Sequence, residues 1–179
     1  MPSRPSTAEL LIRPITADEV LAVATTHVRA DRETYEPIFG AKFREVEIGR
    51  SQLRWDTALG AGDVLLAAVV SGRIIGFAHA TATWMSALYL LASHHRRGIG
   101  LRLLVALCDE LQTRGVSEIG FQAVAGNAGA IAFYQAVGAK AVGRKLEGEG
   151  DEAWEDIVFT LTIDAPAAFR RRQGCLTPR

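Results

Sequence analysis

Cysteine is nearly absent, with Cys108 and Cys175 the two in 179 residues, so no disulfide framework can hold this chain together. Net charge is absent too. Twenty basic side chains balance twenty acidic ones, which removes the electrostatic footprint that binds nucleic acid or an anionic membrane. No apolar run approaches the roughly 18 residues of a membrane span. No charged-then-apolar leader opens the chain, so the expected location is cytoplasmic. Internal repeats are also missing. What remains is 49% apolar residues, ample for one continuous core, and partners restricted to small molecules or specific proteins.

The most informative stretch runs from Leu88 to Leu111. A short apolar strand, Leu88-Tyr89-Leu90-Leu91, enters a polar turn, Ser93-His94-His95-Arg96-Arg97, and then the step Gly98-Ile99-Gly100. Apolar residues at Leu103, Leu104, Leu107, Cys108 and Leu111 follow at helical spacing, and Gly115 supplies a stop. The first amides of a helix lack intrahelical partners and carry partial positive charge, so a helix start of this kind attracts an anion. Gly98 and Gly100 clear side chains where a phosphate would meet the backbone, and Arg96, Arg97 and Arg102 add charge around it. The stretch reads as a pyrophosphate cradle. A P-loop is excluded, because no lysine or hydroxyl follows Gly100. A dinucleotide fingerprint fits poorly: Leu103 stands where the third glycine belongs, and Glu118 opens the next strand instead of closing it. His94 and His95 are adjacent, point apart and have no further ligand at metal spacing, so no metal site is expected.

Residues 1–9 mix Pro, Ser and Thr without an apolar pattern and are expected to form a flexible tail. Residues 10–163 form the single domain, and residues 164–179, with Arg170, Arg171, Arg172 and Arg179, form a basic flexible tail. Within the domain, Leu10–Ile15 is a strand, and Thr16-x-x-Glu19 is a capping box that opens a first helix through Val20, Leu21, Ala24 and Val28. His27 lies beside its apolar face, as a surface or buried hydrogen-bonded histidine. From His27 to Gly40 the chain turns too polar for core and reads as a loop anchored by Tyr35 and Phe39. A second helix covers Ser51 to Leu59. Strands follow at Val64–Val70, Ile74–Thr81 and Ala87–Leu91, apolar throughout because helices cover both faces. The last hairpin pairs Lys140–Leu146 with Trp154–Ile163.

Between them lies a second strand-helix unit. An alternating strand through Ile119, Phe121 and Ala123 runs into Asn127-Ala128-Gly129-Ala130-Ile131-Ala132-Phe133-Tyr134, with Asn127 suited to a helix N-cap and Gly138 to its stop. Together the two units resemble the GNAT superfamily of N-acetyltransferases. Its acetyl-CoA signature is Arg/Gln-x-x-Gly-x-Gly/Ala, then a strand, then an Asn-x-x-Ala-x-x-Phe-Tyr helix. The resemblance implies an α/β (α+β) fold with a central, mostly antiparallel mixed sheet of about six to seven strands flanked by about four helices. It also implies acetyl transfer from acetyl-CoA to a primary amine of a small molecule or peptide. A second copy of the chain, as a homodimer, is a further partner.

By position, the resemblance gives the pantetheine arm to the strand backbone at Leu88, Tyr89 and Leu90. It gives the pyrophosphate to His95, Arg96, Arg97, Gly98, Ile99, Gly100 and Leu101. Asn127, Ala130 and Phe133 complete the donor site, and Tyr134 is the general acid for the departing thiol. Phe133 is the cheaper of the two aromatics to bury, which leaves Tyr134 for the thioester. Where the family has Arg or Gln, this chain has His95, a side chain without arginine's fixed charge. The glutamate that members often carry before the phosphate loop is also missing, since Thr83-Trp84-Met85-Ser86-Ala87-Leu88 holds no carboxylate. A base must then come from Asp31 or Glu33, or the amine must arrive neutral. Asp31, Glu33, Tyr35, Glu36 and Trp84 are the candidates for the acceptor side. The missing carboxylate also leaves open an acyl-CoA-binding module without transferase activity.

Overall fold

The structure, a computed structural model, describes residues 9–174. Among the described residues, seven strands and five α-helices form a mixed α/β architecture. The strands are β1 (Leu10–Pro14), β2 (Val64–Val70), β3 (Arg73–Ala80), β4 (Met85–Leu90), β5 (Glu118–Val124), β6 (Lys140–Glu147) and β7 (Trp154–Thr162). The helices are α1 (Val20–Phe39), α2 (Ile48–Gly60), α3 (Ile99–Thr113), α4 (Ala128–Ala136) and α5 (Ala165–Gly174). Strands β1-β2-β3-β4 make one antiparallel sheet and β5-β7-β6 a second. The two meet through a parallel bridge between Trp84 and Gly120, where the Gly120 amide donates to the Thr83 carbonyl at 2.8 Å. Past that bridge β4 and β5 diverge, and the gap between them is the site.

Strand β2 shows why the central strands read as apolar throughout. Leu65, Ala67 and Val69 pack with Val23, Trp55 and Phe77 under α1 and α2, while Val64, Leu66 and Ala68 pack with Leu103, Leu104 and Leu107 of α3. Helices cover both faces, so alternation vanishes. Trp55 is fully buried, and truncating it to Ala should cost about 3–5 kcal/mol. Among the described residues no helix is long and apolar enough to cross a membrane.

Two expectations need correction. The stretch from His27 to Gly40 is no loop, because α1 continues unbroken to Phe39 and ends at Gly40 with φ 54°. Its inward positions Val20, Val23, Ala24, His27, Ala30 and Asp31 keep helical spacing, and Arg29 supports the exposed face through Glu33 four residues on, at 2.8 Å. The polar residues misled because Asp31, Thr34 and Tyr35 face a cleft inside the protein while Glu33 and Glu36 lie outside it, a division that composition does not show. The second correction concerns the stretch expected to be a tail. Residues Ala165–Gly174 are helical, with Ala165 and Phe169 packed against the main core. Two apolar anchors suffice where a neighbouring surface accepts them. The other residues expected to be tail, 1–8 and 175–179 with Cys175 and Arg179, lie outside the described residues.

The capping box is in place ahead of α1, with the Glu19 carboxylate accepting from the Thr16 amide at 3.1 Å. That carboxylate also accepts from Nη1 and Nη2 of Arg13, at 2.7 and 2.6 Å. The pairing ties β1 to the helix start and holds the Glu19 pKa down to about 2.

Candidate active site

Between β4 and β5 lies a cleft of about 1380 Å³, larger than the roughly 300–1,000 Å³ of an ordinary small-ligand pocket. One end opens at the start of α3. Arg96 (φ 60°) and Gly98 (φ 74°) both take left-handed conformations there, turning the chain so that Gly98, Gly100 and Leu101 border the cleft. A Cβ built on Gly98 or Gly100 would meet no atom within 4 Å and would project into open space. That space is what a phosphate would fill, beside amides with no intrahelical partner. The residues present therefore fit a pyrophosphate.

The His95 ring donates from Nε2 to the Leu90 carbonyl at 2.8 Å and so pins the turn to the end of β4. Three side chains expected at the phosphates are placed otherwise, although the Ile99 main chain stays at the helix start. Ile99 is buried in the core, Arg97 is exposed but does not border the cleft, and Arg102 reaches the Leu10 carbonyl on β1 at 3.4 Å. About half a turn of helix separates inner from outer positions, which a local glycine motif does not specify.

Further along, Leu88, Tyr89 and Leu90 border the cleft from β4, and Asn127, Ala130 and Phe133 border it from α4. Asn127 caps α4 by accepting from the Ala130 amide at 3.1 Å. Tyr134 also borders the cleft, packed at 4.4 Å from Phe121 and 6.0 Å from Phe159. The order of burial on α4 is the reverse of that expected: Tyr134 is the buried residue and Phe133 is only partly buried. Its stacking against Phe121 and Phe159 buries the ring while the residue still lines the cleft. Burial, reinforced by the Tyr35 phenol, pushes the Tyr134 hydroxyl well above its ordinary pKa. It stays protonated at neutral pH.

The acceptor candidates divide. Asp31, Tyr35 and Trp84 border the cleft, whereas Glu33 does not. The Glu33 carboxylate accepts from the Ala92 amide at 2.7 Å and from Arg29, so it fastens α1 to the loop after β4. Glu36 is exposed and also outside the cleft. The Trp84 ring lies on Gly120, where a Cβ would come within 2.8 Å of it. Asp31 is buried and accepts from the Tyr89 hydroxyl at 3.2 Å. Burial pushes its pKa up to about 6. The far rim is closed by Arg44, paired with Glu152 at 2.6 Å, and by Phe39 against Trp154 at 5.7 Å.

Two features went unread in the sequence. Asp156 on β7 is 4% exposed and borders the cleft. Its Oδ2 accepts from Gln122 at 2.8 Å, while among the described residues its Oδ1 is the one buried side-chain oxygen or nitrogen without a partner. An aspartate amid an apolar alternating strand was the available signal. The other is His79, buried in β3 and bonded to Asp63 and Ser86. Its signal was a titratable ring in an otherwise apolar strand.

The profile of the acetyltransferase (GNAT) family matches residues 26–139. The chain belongs to that family. Among individual proteins, it is similar to the ribosomal protein bS18 alanine N-acetyltransferase of Salmonella typhimurium, 51% identical over 43 residues. That match spans 24% of this chain and 29% of the relative's own length. Among solved structures, it shares its fold with the ribosomal-protein-alanine N-acetyltransferase from Brucella melitensis, at TM-score 0.69 and 21% identity, covering 85% of this chain and 99% of that one. The PaiA N-acetyltransferase from Thermoplasma acidophilum, solved with coenzyme A, gives TM-score 0.68 at 17% identity over 86% and 99% of the two chains.

Proposed function

We propose that this protein is an N-acetyltransferase that moves an acetyl group from acetyl-CoA to a primary amine. The observation that carries the reading is one cleft with a phosphate-suited helix start at one end and Tyr134 and Asp31 further in. Bound acetyl-CoA supplies the activated acetyl group as a thioester. The start of α3 holds the pyrophosphate through main-chain amides after Gly98, and the edge of β4 from Leu88 to Leu90 aligns the pantetheine arm. Asn127, Ala130 and Phe133 support the arm from α4. Tyr134 gives its proton to the departing thiol, and recovers one from the amine nitrogen as the amide forms. Asp31, buried without a cationic partner among the described residues, attracts the acceptor's ammonium. Tyr35 and Trp84 enclose it.

The names of the relatives support alanine α-amines as first acceptors to try. A screen of alanine amide, Nα-acetyl-lysine and putrescine with acetyl-CoA, read by free thiol, tests the activity. Turnover above background is expected with at least one. Acetyl-CoA should also raise the melting temperature with concentration, by mass action on the folded state. Greater stabilisation by NADH at equal concentration would overturn the donor assignment.

A further inference from the structure

The acceptor enters as an ammonium and must lose a proton before its nitrogen can attack, yet β4 carries no carboxylate. Its second residue, Ser86, has an unusual position. His79 pairs with Ala87 and Ala80 with Met85, so Ser86 is the extra residue of a β-bulge between β3 and β4. Bulges re-aim a side chain, and here the Ser86 Oγ lies 2.5 Å from His79 Nδ1. The other ring nitrogen, Nε2, lies 2.9 Å from Asp63 Oδ2 at the entry to β2. Ser86 is half-buried and borders the cleft, His79 is buried, and the Asp63 side chain is 22% exposed. The three form an unbroken hydrogen-bonded chain from cleft to solvent.

Direction follows from the inventory of donors. A carboxylate only accepts, so Nε2 carries the ring proton, Nδ1 accepts from the Ser86 hydroxyl, and the Ser86 lone pairs are left to accept from the cleft. We propose that Ser86, His79 and Asp63 form the proton relay that makes the acceptor amine nucleophilic. One ammonium N–H proton passes to Ser86 Oγ as the Ser86 proton passes to His79 Nδ1. Asp63 holds the resulting imidazolium until its proton leaves to solvent. The nitrogen keeps the electron pair of the broken N–H bond, and the second proton it sheds replaces the one Tyr134 gives the thiol.

The groups around His79 suit this task. Besides Ser86 and Asp63, its ring meets the edge of Trp55 at 5.3 Å, and Arg54 stacks over that indole at 4.5 Å. Burial, with a smaller contribution from the Arg54 charge, lowers the His79 pKa against the pull of Asp63. The ring is neutral and able to accept. The other buried histidine shows that a His-Ser pair alone would not serve. His27 Nδ1 lies 2.8 Å from Ser51, but Ser51 is 1% exposed, takes the Trp55 indole proton at 3.1 Å and leads neither to the cleft nor to a carboxylate.

The relay rests on the transferase reading, and the two fail differently. With the fastest of the three amines above, kcat and KM are measured from pH 6 to 10 for His79→Gln, Ser86→Ala and Ser86→Thr. Expected is a loss of about 10²–10⁴-fold in kcat at pH 7 for the first two, the range of general base catalysis. The loss should shrink as pH nears the amine's own pKa, Ser86→Thr should restore rate, and the acetyl-CoA dissociation constant should hold. A loss equal at every pH, or none in folded protein, overturns the relay, as does a pH-narrowing loss in Asp31→Asn alone. If His79→Gln does not fold, Ser86→Ala carries the test, since it removes one hydroxyl and leaves the His79–Asp63 pair. Imidazole 15N spectra read the ring without turnover. A neutral ring protonated on Nε2 supports the relay, and a ring cationic at pH 7 or protonated on Nδ1 overturns it. Thiol release with none of the amines would overturn the transferase reading itself.

Discussion

Along the β4–α3 wall the cleft is bordered by the turn at Gly98 and Gly100 and by the strand edge from Leu88 to Leu90, whereas the wall made by α1 and β7 presents Asp31, Tyr35 and Asp156. The first wall offers main-chain groups, whose placement depends on local turn geometry. The second offers side chains carried by elements more than a hundred residues apart in sequence. A donor bound through backbone tolerates most side-chain changes and fails when the backbone path is filled. An acceptor bound through side chains can be retuned one residue at a time. Variants on the two walls should therefore change different constants.

The largest effect is expected at Tyr134, which borders the same cleft from α4. Tyr134→Phe removes one hydroxyl at nearly constant volume, so the packing on Phe121 and Phe159 should survive. As general acid, its loss should lower kcat by about 10²–10⁴-fold, with acetyl-CoA affinity little changed. Equal turnover per folded molecule would make Tyr134 a core residue and leave the comparison without a shared centre. Next is the backbone wall. Gly100→Asp places a carboxylate in the space reserved for phosphate, and acetyl-CoA affinity should fall at least tenfold, about 1.4 kcal/mol, while acceptor KM at saturating donor stays put. An unchanged dissociation constant by calorimetry, in folded protein, would move the pyrophosphate off α3.

The difference between the walls also explains what could be read from the chain alone. Strand, glycine turn and helix lie within 24 consecutive residues, Leu88 to Leu111, and turn chemistry with helical periodicity is enough to assemble them. The Asn127 cap and both strand-helix units were legible for the same reason. Asp31 and Glu33 looked equivalent, two residues apart, yet a step of two moves a side chain far around a helix. Asp31 therefore borders the cleft and Glu33 holds Ala92. The roles of Ser86 and Asp156 depend on a bulge and on strand pairing, neither of which leaves a local signature. Tyr134 lines the cleft although its burial relative to Phe133 is the reverse of that expected from polarity, because the aromatic floor of β5 and β7 shields its ring.

The smallest effect expected belongs to the side-chain wall. Asp31 has a folded pKa of about 6 against its usual 3.8, because burial disfavours its charge. The folded state thus binds this proton more tightly than the unfolded chain does. Its contribution to stability is full below about pH 3.8 and is lost as pH rises through 6. One helical turn before it, His27 behaves in the opposite sense. Burial lowers its pKa from 6.5 to about 4, so stability is lost as pH falls through that interval. Between pH 4 and 6 the two slopes oppose each other. Asp31→Asn removes one of them, and the variant should be more stable than the parent at pH 8, by at most about 3 kcal/mol at 1.36 kcal/mol per pKa unit. It should also lose stability more steeply between pH 6 and 4. Urea melts at pH 4.5, 6 and 8 measure both. In the same variant the acceptor KM should rise severalfold with kcat and donor affinity nearly constant, because an ammonium loses its counter-charge while the relay and the thioester contacts remain. A variant that gains stability at pH 8 without any change in KM would show a carboxylate strained by burial alone, and the acceptor's charge would then have to be met from Asp156 on β7.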